Sequence, residues 1–176
     1  MFAGLGLGTL AIWQGRRMWP GAVDEAKHAG VPSYFADLPV ARLDGTPDRL
    51  TASAPGLRVV NFWARWCGPC RRELPSLQRL ADRLMRHRIA LWTVALDDDA
   101  FALREYLRGL DLPRLPAWRL APEDAPAALS LTSLPQTLVL GRNARILERL
   151  VGAREWDRDD EVARLMDLDR RDAAGA

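Results

Sequence analysis

The chain has 176 residues, 48% of them hydrophobic and 27% charged, with a net charge of +2 and two cysteines. That length suits one globular domain, which buries about 70% of its unfolded surface and needs no disulfide scaffold to stay folded. Its arginines are scattered among Asp and Glu and Lys27 is the only lysine, so the charge gives nucleic acid no electrostatic footing.

Residues 2–13 are a mostly apolar run, followed closely by Arg16 and Arg17. A bilayer span needs about 20 residues; this run has the length of a signal-peptide core. No basic residue precedes it and no small-x-small cleavage site follows. By the positive-inside rule the two arginines sit on the wrong side for an ordinary signal. Residues 1–19 are therefore read as an export signal or inner-membrane anchor whose beginning is missing, 20–35 as a linker, and 36–172 as the folded domain. A loosely packed terminal helix is the plain alternative for the run.

Within the domain, Asp44-Gly45 marks a tight turn between short strands around Val40–Thr46. A small-residue loop, Thr51–Gly56, leads to Arg58–Trp63, whose near-continuous apolar character predicts a central strand covered on both faces. Arg71–His87 reads as a helix with Leu74, Leu77, Ala81 and Leu84 on one face. Pro75 lies inside it and is expected to kink the axis. Ile89–Leu96 is a second apolar strand, closed by Asp97-Asp98-Asp99, which cap a helix over Ala100–Gly109. A strand over Pro116–Leu120 and a helical turn over Ala125–Leu131 come next. The chain then gives a strand over Thr137–Leu140, a turn at Gly141–Ala144 and a strand over Arg145–Val151. The last helix, Trp156–Arg170, sets Trp156, Val162, Leu165 and Met166 on one side, with Asp157, Asp159 and Asp160 near its start and Arg170 and Arg171 at its end. Strands alternating with helices and closing in a hairpin predict an α/β domain with a central mixed sheet flanked by helices.

Both cysteines fall in Trp66-Cys67-Gly68-Pro69-Cys70, between the central strand and the first helix. Closing so short a loop restrains the unfolded chain little, so the spacing suits a bond that opens and closes. At the start of a helix, unpaired N–H groups and the dipole stabilise a Cys67 thiolate. That thiolate attacks a disulfide, and Cys70, one turn later, resolves the mixed disulfide. Gly68 admits close backbone approach and Pro69 suits the first helical turn. Rival uses of the pair are weaker. Zinc normally takes four ligands, yet there is no second Cys pair and His28 and His87 stand apart. A purely structural bond and peroxide reduction leave the tight pairing unexplained.

The segment Asn61-Phe62-Trp63-Ala64-Arg65-Trp66-Cys67-Gly68-Pro69-Cys70-Arg71-Arg72-Glu73-Leu74-Pro75 resembles the active site of thioredoxin-fold proteins. It is most similar to the membrane-anchored periplasmic thiol-disulfide oxidoreductases of the TlpA/ResA type. The resemblance runs from about Val40 to Val162 and includes Leu43-Asp44-Gly45 and Ser133-Leu134-Pro135-Gln136-Thr137. It implies a thioredoxin-like fold with an N-terminal hairpin extension, Cys67 and Cys70 as the catalytic dithiol, and Glu73 near them as proton relay or thiol tuner. A solvated helix residue is the plain alternative for Glu73. Pro135 corresponds to a cis-proline that lets the Leu134 backbone pair with substrate, and Trp66, Gly68 and Pro69 fall in the substrate groove. Trp63 is placed either at that groove or in the core. Asn61 stands where cytosolic thioredoxins carry a buried Asp; an amide there hydrogen-bonds but is no base.

Two segments depart from the family pattern. Ser130–Leu134 lacks the Gly often found before the cis-proline, and Asn143-Ala144 replaces Asp-Gly in the last hairpin. Asn is expected to take the left-handed turn conformation there. The resemblance further implies a reductant of protein disulfides, with no metal and no cofactor beyond the Cys67–Cys70 disulfide, re-reduced by a membrane electron donor. Its expected place is the periplasm, tethered to the inner membrane, where apocytochrome c in cytochrome c maturation, a copper-site assembly protein and a general thiol pool are all eligible substrates. A cytosolic thioredoxin-like reductant and a non-catalytic adaptor using the same groove remain the alternatives.

Overall fold

A computed structural model describes residues 33–51, 55–125 and 129–175. Residues 1–19, and most of the segment read as a linker, lie outside the described residues. Seven strands, β1 (Leu38–Arg42), β2 (Pro47–Leu50), β3 (Arg58–Trp63), β4 (Ala90–Leu96), β5 (Ala117–Leu120), β6 (Gln136–Leu140) and β7 (Ile146–Val151), form one mixed sheet. Their spatial order is β2-β1-β5-β4-β3-β6-β7. The β3, β4 and β5 strands run parallel, while β6 and β7 continue antiparallel beyond β3. The β1–β2 hairpin joins the sheet through antiparallel pairing of β1 with β5.

The helices are α1 (Gly68–Leu84), α2 (Ala100–Gly109) and α3 (Asp159–Ala174). Crossovers β3–α1–β4 and β4–α2–β5 step the same way across the sheet, so right-handed connections put both helices on one face. Leu74, Leu77, Leu103 and Leu107 accordingly share a core cluster with Val59, Trp63, Leu91 and Val139, to which α3 adds Val162 and Leu165. The opposite face gathers Val60, Phe62, Val94 and Leu138 with Phe35, Leu50, Leu120 and Leu129. Every residue of β3 is buried, which is why its sequence shows no alternation. Among the described residues no helix is long and apolar enough to cross a membrane.

Several boundaries differ from the sequence pattern. Helix α1 begins three residues early because Cys67 is its N-cap and Pro69 sits in its first turn; it runs through Pro75 and ends at Leu84. A 3-10 turn forms at Pro122–Asp124, where proline's fixed φ fits the first position; the helical turn expected over Ala125–Leu131 lies in part outside the described residues, at 126–128. Helix α3 starts at Asp159, leaving Trp156 in the preceding loop, fully buried. In the β6–β7 turn the left-handed residue is Ala144 (φ +61), not Asn143. The Ala144 N–H closes a turn onto Gly141 O and the Gly141 N–H bonds Arg145 O, as in hairpins where a left-handed residue follows a tight turn. At the end of the segment read as a linker, Ser33 O and the Phe35 N–H pair with this hairpin and Phe35 is buried. Among the described residues, contacts with the domain are thus already made at Ser33.

Candidate active site

The dithiol lies where α1 leaves the sheet, four residues beyond Trp63 at the end of β3. Cys67 and Cys70 are joined as a disulfide, 5% and 1% exposed. Cys67 Sγ accepts the Cys70 N–H at 3.2 Å and its carbonyl accepts the Arg71 N–H. The first turn of α1 holds no acidic residue, so no carboxylate there offsets the positive end of the dipole. Gly68 and Pro69 are exposed beside the buried sulfurs, and Trp66 is 78% exposed.

The Leu134–Pro135 peptide bond is cis. Because Phe62 pairs with Gln136, Pro135 falls opposite the end of β3, at the same edge of the sheet as the dithiol. Pro135 is buried, its carbonyl accepting the Gly152 N–H, and Leu134 packs against the cluster that contains both cysteines. Beyond Trp66, an open groove of about 740 Å3 is lined by Arg65, Asp97, Phe101 and Tyr106 among others. Arg65 grips Asp97 with two bonds, at 2.5 and 3.1 Å. Burial pushes the Asp97 carboxyl up, but the Arg65 guanidinium and the Asp99 and Asp98 N–H groups outweigh it and hold it below the ordinary value. Trp63 does not border the groove: it is fully buried and stacked on Tyr106, ring centres 6.0 Å apart.

Glu73 is no solvated helix residue. It is 2% exposed, and three donors converge on its carboxylate: Asn61 Nδ2 at 2.5 Å, Trp156 Nε1 at 2.8 Å and the Arg154 N–H at 3.1 Å. Burial raises its pKa from 4.5 to about 7, while the bonds from Trp156, Arg154 and Asn61 pull the other way. Asn61 Nδ2 also reaches Thr137 Oγ1 at 2.9 Å, tying the network to β6 two residues past Pro135. Cys70 and Glu73 are three residues apart on α1, a spacing that shares one helix face with about 5–6 Å between Cβ atoms.

Sequence reading brought Cys67, Cys70, Glu73, Leu134 and Pro135 to one region, and the fold places them at one edge of the sheet. It missed the Glu73 partners Trp156, Arg154 and Thr137. The signal available was a lone indole among the charges of Arg154–Asp160, since a buried indole N–H seeks an acceptor.

Residues 25–165 match the family described as Redoxin. The "thiol:disulfide interchange protein DsbE homolog" of Paracoccus denitrificans is 35% identical over 99 residues, covering 56% of this chain and 52% of that protein. "Thiol-disulfide oxidoreductase ResA" of Bacillus cereus is 22% identical, covering 53% of each. The chain thus spans about half the length of these relatives. A thiol:disulfide interchange protein of the thioredoxin family from Chlorobium tepidum superposes with a TM-score of 0.60 at 21% identity, over 78% of this chain and 99% of that one. That likeness shows the thioredoxin-like fold.

Proposed function

The chain belongs to the Redoxin family, and from that premise we propose that it is a thiol-disulfide oxidoreductase reducing disulfides of exported proteins. One observation carries the reading: the cysteine pair stands at the N-terminus of α1, with the Cys67 sulfur receiving a backbone N–H of the first turn. The same positive environment that meets Sγ in the disulfide stabilises its thiolate after reduction.

In the reaction the Cys67 thiolate attacks one sulfur of a substrate disulfide, and the other leaves as a thiolate. Cys70 then gives up its proton, Glu73 being the acceptor on the same helix face. The electron pair left on the Cys70 sulfur attacks Cys67, the second substrate sulfur departs, and the Cys67–Cys70 disulfide forms. Two electrons pass to the substrate, and the released thiolates take protons from solvent. Trp66, Gly68 and Pro69 form the exposed rim that receives the substrate, with Leu134 and Pro135 supplying backbone for it to pair with. The Gly-Pro dipeptide is that of thioredoxin, a reductant near −270 mV, and this supports net reduction.

Export, and tethering to the inner membrane of the periplasm, are supported by the apolar run at residues 2–13; re-reduction then falls to a membrane electron donor. The names of the DsbE and ResA relatives, a thiol:disulfide interchange protein and a thiol-disulfide oxidoreductase, support the dithiol chemistry, and cytochrome c maturation is the process we favour. Substrate trapping tests the reading. The Cys70→Ala variant, expressed in cells, is expected to retain partners on Cys67 as adducts released by dithiothreitol. Recovery of partners that survive reduction, with none bound through Cys67, favours a non-catalytic adaptor.

A further inference from the structure

We propose that Trp156 is a positioning residue for proton transfer in the resolving step, its indole holding the Glu73 carboxylate on the face of α1 that carries Cys70. This rests on the assignment of Cys70 as the resolving thiol.

Four contacts dock the Arg154–Trp156 loop onto α1. The Arg154 N–H and Trp156 Nε1 reach the two oxygens of Glu73, the Trp156 N–H reaches Ser76 Oγ at 3.1 Å, and Ser76 Oγ lies 3.2 Å from Arg154 O. Glu73 and Ser76, one helical turn apart, thus clamp one loop from one helix face. Two residues before Arg154, the Gly152 N–H bonds the carbonyl of Pro135. On the other side, Asn61 links Glu73 to Thr137, two residues beyond Pro135. The carboxylate is therefore braced from both chain segments that flank the cis-proline. Trp156 is fully buried, so its ring has one fixed place and its N–H needs an acceptor there.

Among the described residues, the charge that acts on Glu73 from the β7–α3 loop is that of Arg154, and its guanidinium lies 3.7 Å from Glu161. Asn61 on β3 and Thr137 on β6 bring polar but uncharged groups, and on α1 itself Arg71 and Arg72 are exposed. A carboxylate braced by three donors accepts the Cys70 proton without rotating. With the indole N–H removed, the charged form loses one stabilising bond and its pKa rises. Glu73 then already carries a proton over more of the pH range and cannot take the one from Cys70.

The test separates the two thiol steps. Reduced protein mixed with 5,5′-dithiobis(2-nitrobenzoate) releases one thionitrobenzoate when Cys67 attacks and a second when Cys70 resolves the adduct. In Trp156→Phe the first phase is expected to be unchanged. The second is expected to slow about fivefold at pH 7, as the loss of one charge-assisted hydrogen bond displaces its acid limb to higher pH by about one unit. In the Glu73→Gln background, Trp156→Phe is expected to add no further displacement. β-(3-Benzothienyl)alanine at position 156 keeps the indole shape without its N–H and gives the same comparison where phenylalanine disturbs folding. A wild-type pH profile in the second phase, equal slowing of both phases, or a further displacement in the Glu73→Gln background overturns the proposal. A wild-type protein that never releases the second thionitrobenzoate overturns the dithiol assignment itself.

Discussion

Cys67→Ser is expected to lower disulfide reduction by at least about 10³-fold, because a serine hydroxyl stays protonated where a thiolate forms and is a poor nucleophile toward sulfur. The loss is chemical rather than structural. Closing the short loop between Cys67 and Cys70 contributes only about 2 kcal/mol by chain entropy, and both side chains belong to a large apolar core cluster that includes Leu74, Leu77, Leu103 and Leu165. Insulin reduction assays on the variant, with thermal melting beside them, check this. Activity within tenfold of the wild type would place the nucleophile elsewhere and leave the cysteine pair without its role.

Through Glu73 alone, folding stability is expected to fall by about 3 kcal/mol between pH 4 and pH 8, and Glu73→Gln is expected to remove that fall. Burial lifts the carboxyl from 4.5 to about 7 in the folded protein. Between those values the unfolded chain has released this proton while the folded protein still holds it. Rising pH therefore favours the unfolded chain. The stabilising contribution is complete below 4.5 and lost as pH passes through about 7. Urea unfolding of both proteins at pH 4 and pH 8 isolates the group, since every other carboxylate is common to the pair. Parallel pH dependences would show that Glu73 ionises freely and is no candidate for a proton acceptor at neutral pH.

Cys67 and Cys70 carry a local signature in their spacing and are legible from it, whereas Pro135 is legible only through resemblance, since a proline by itself is seldom cis. Glu73 was visible only through resemblance, because helical periodicity does not distinguish a buried acid from a solvated one on a mixed face. Its partners were invisible for a different reason: Trp156 Nε1 reaches Glu73 across 83 positions of sequence, and nothing local records such a contact. The spacing of Trp156 to Val162 and Leu165 fits a helix and predicts it on the α3 face. The buried hydrogen bond to Glu73 and the later start of α3 at Asp159 instead leave it in the loop.

Secondary structure was legible for the same physical reasons and failed where they ran out. The β3 bounds and those of α2 follow from a near-continuous apolar run and from the Asp99 cap. The start of α1 was displaced because a cysteine makes an unusual N-cap, its sulfur replacing the oxygen that Ser or Asp would offer. The placement of α1 and α2 on one face needed the strand order, which follows from β5 pairing beyond β4 and not from any single segment.

Titration of the Cys67 thiol in the reduced protein tests the central claim most directly. The rate of iodoacetamide modification at Cys67, followed by mass spectrometry from pH 5 to pH 10, is expected to show a midpoint near 7, the value known for thioredoxin's corresponding thiol. A midpoint at or above the ordinary 8.5, or a Cys67 that does not react in the folded protein, would contradict an activated thiolate at the head of α1.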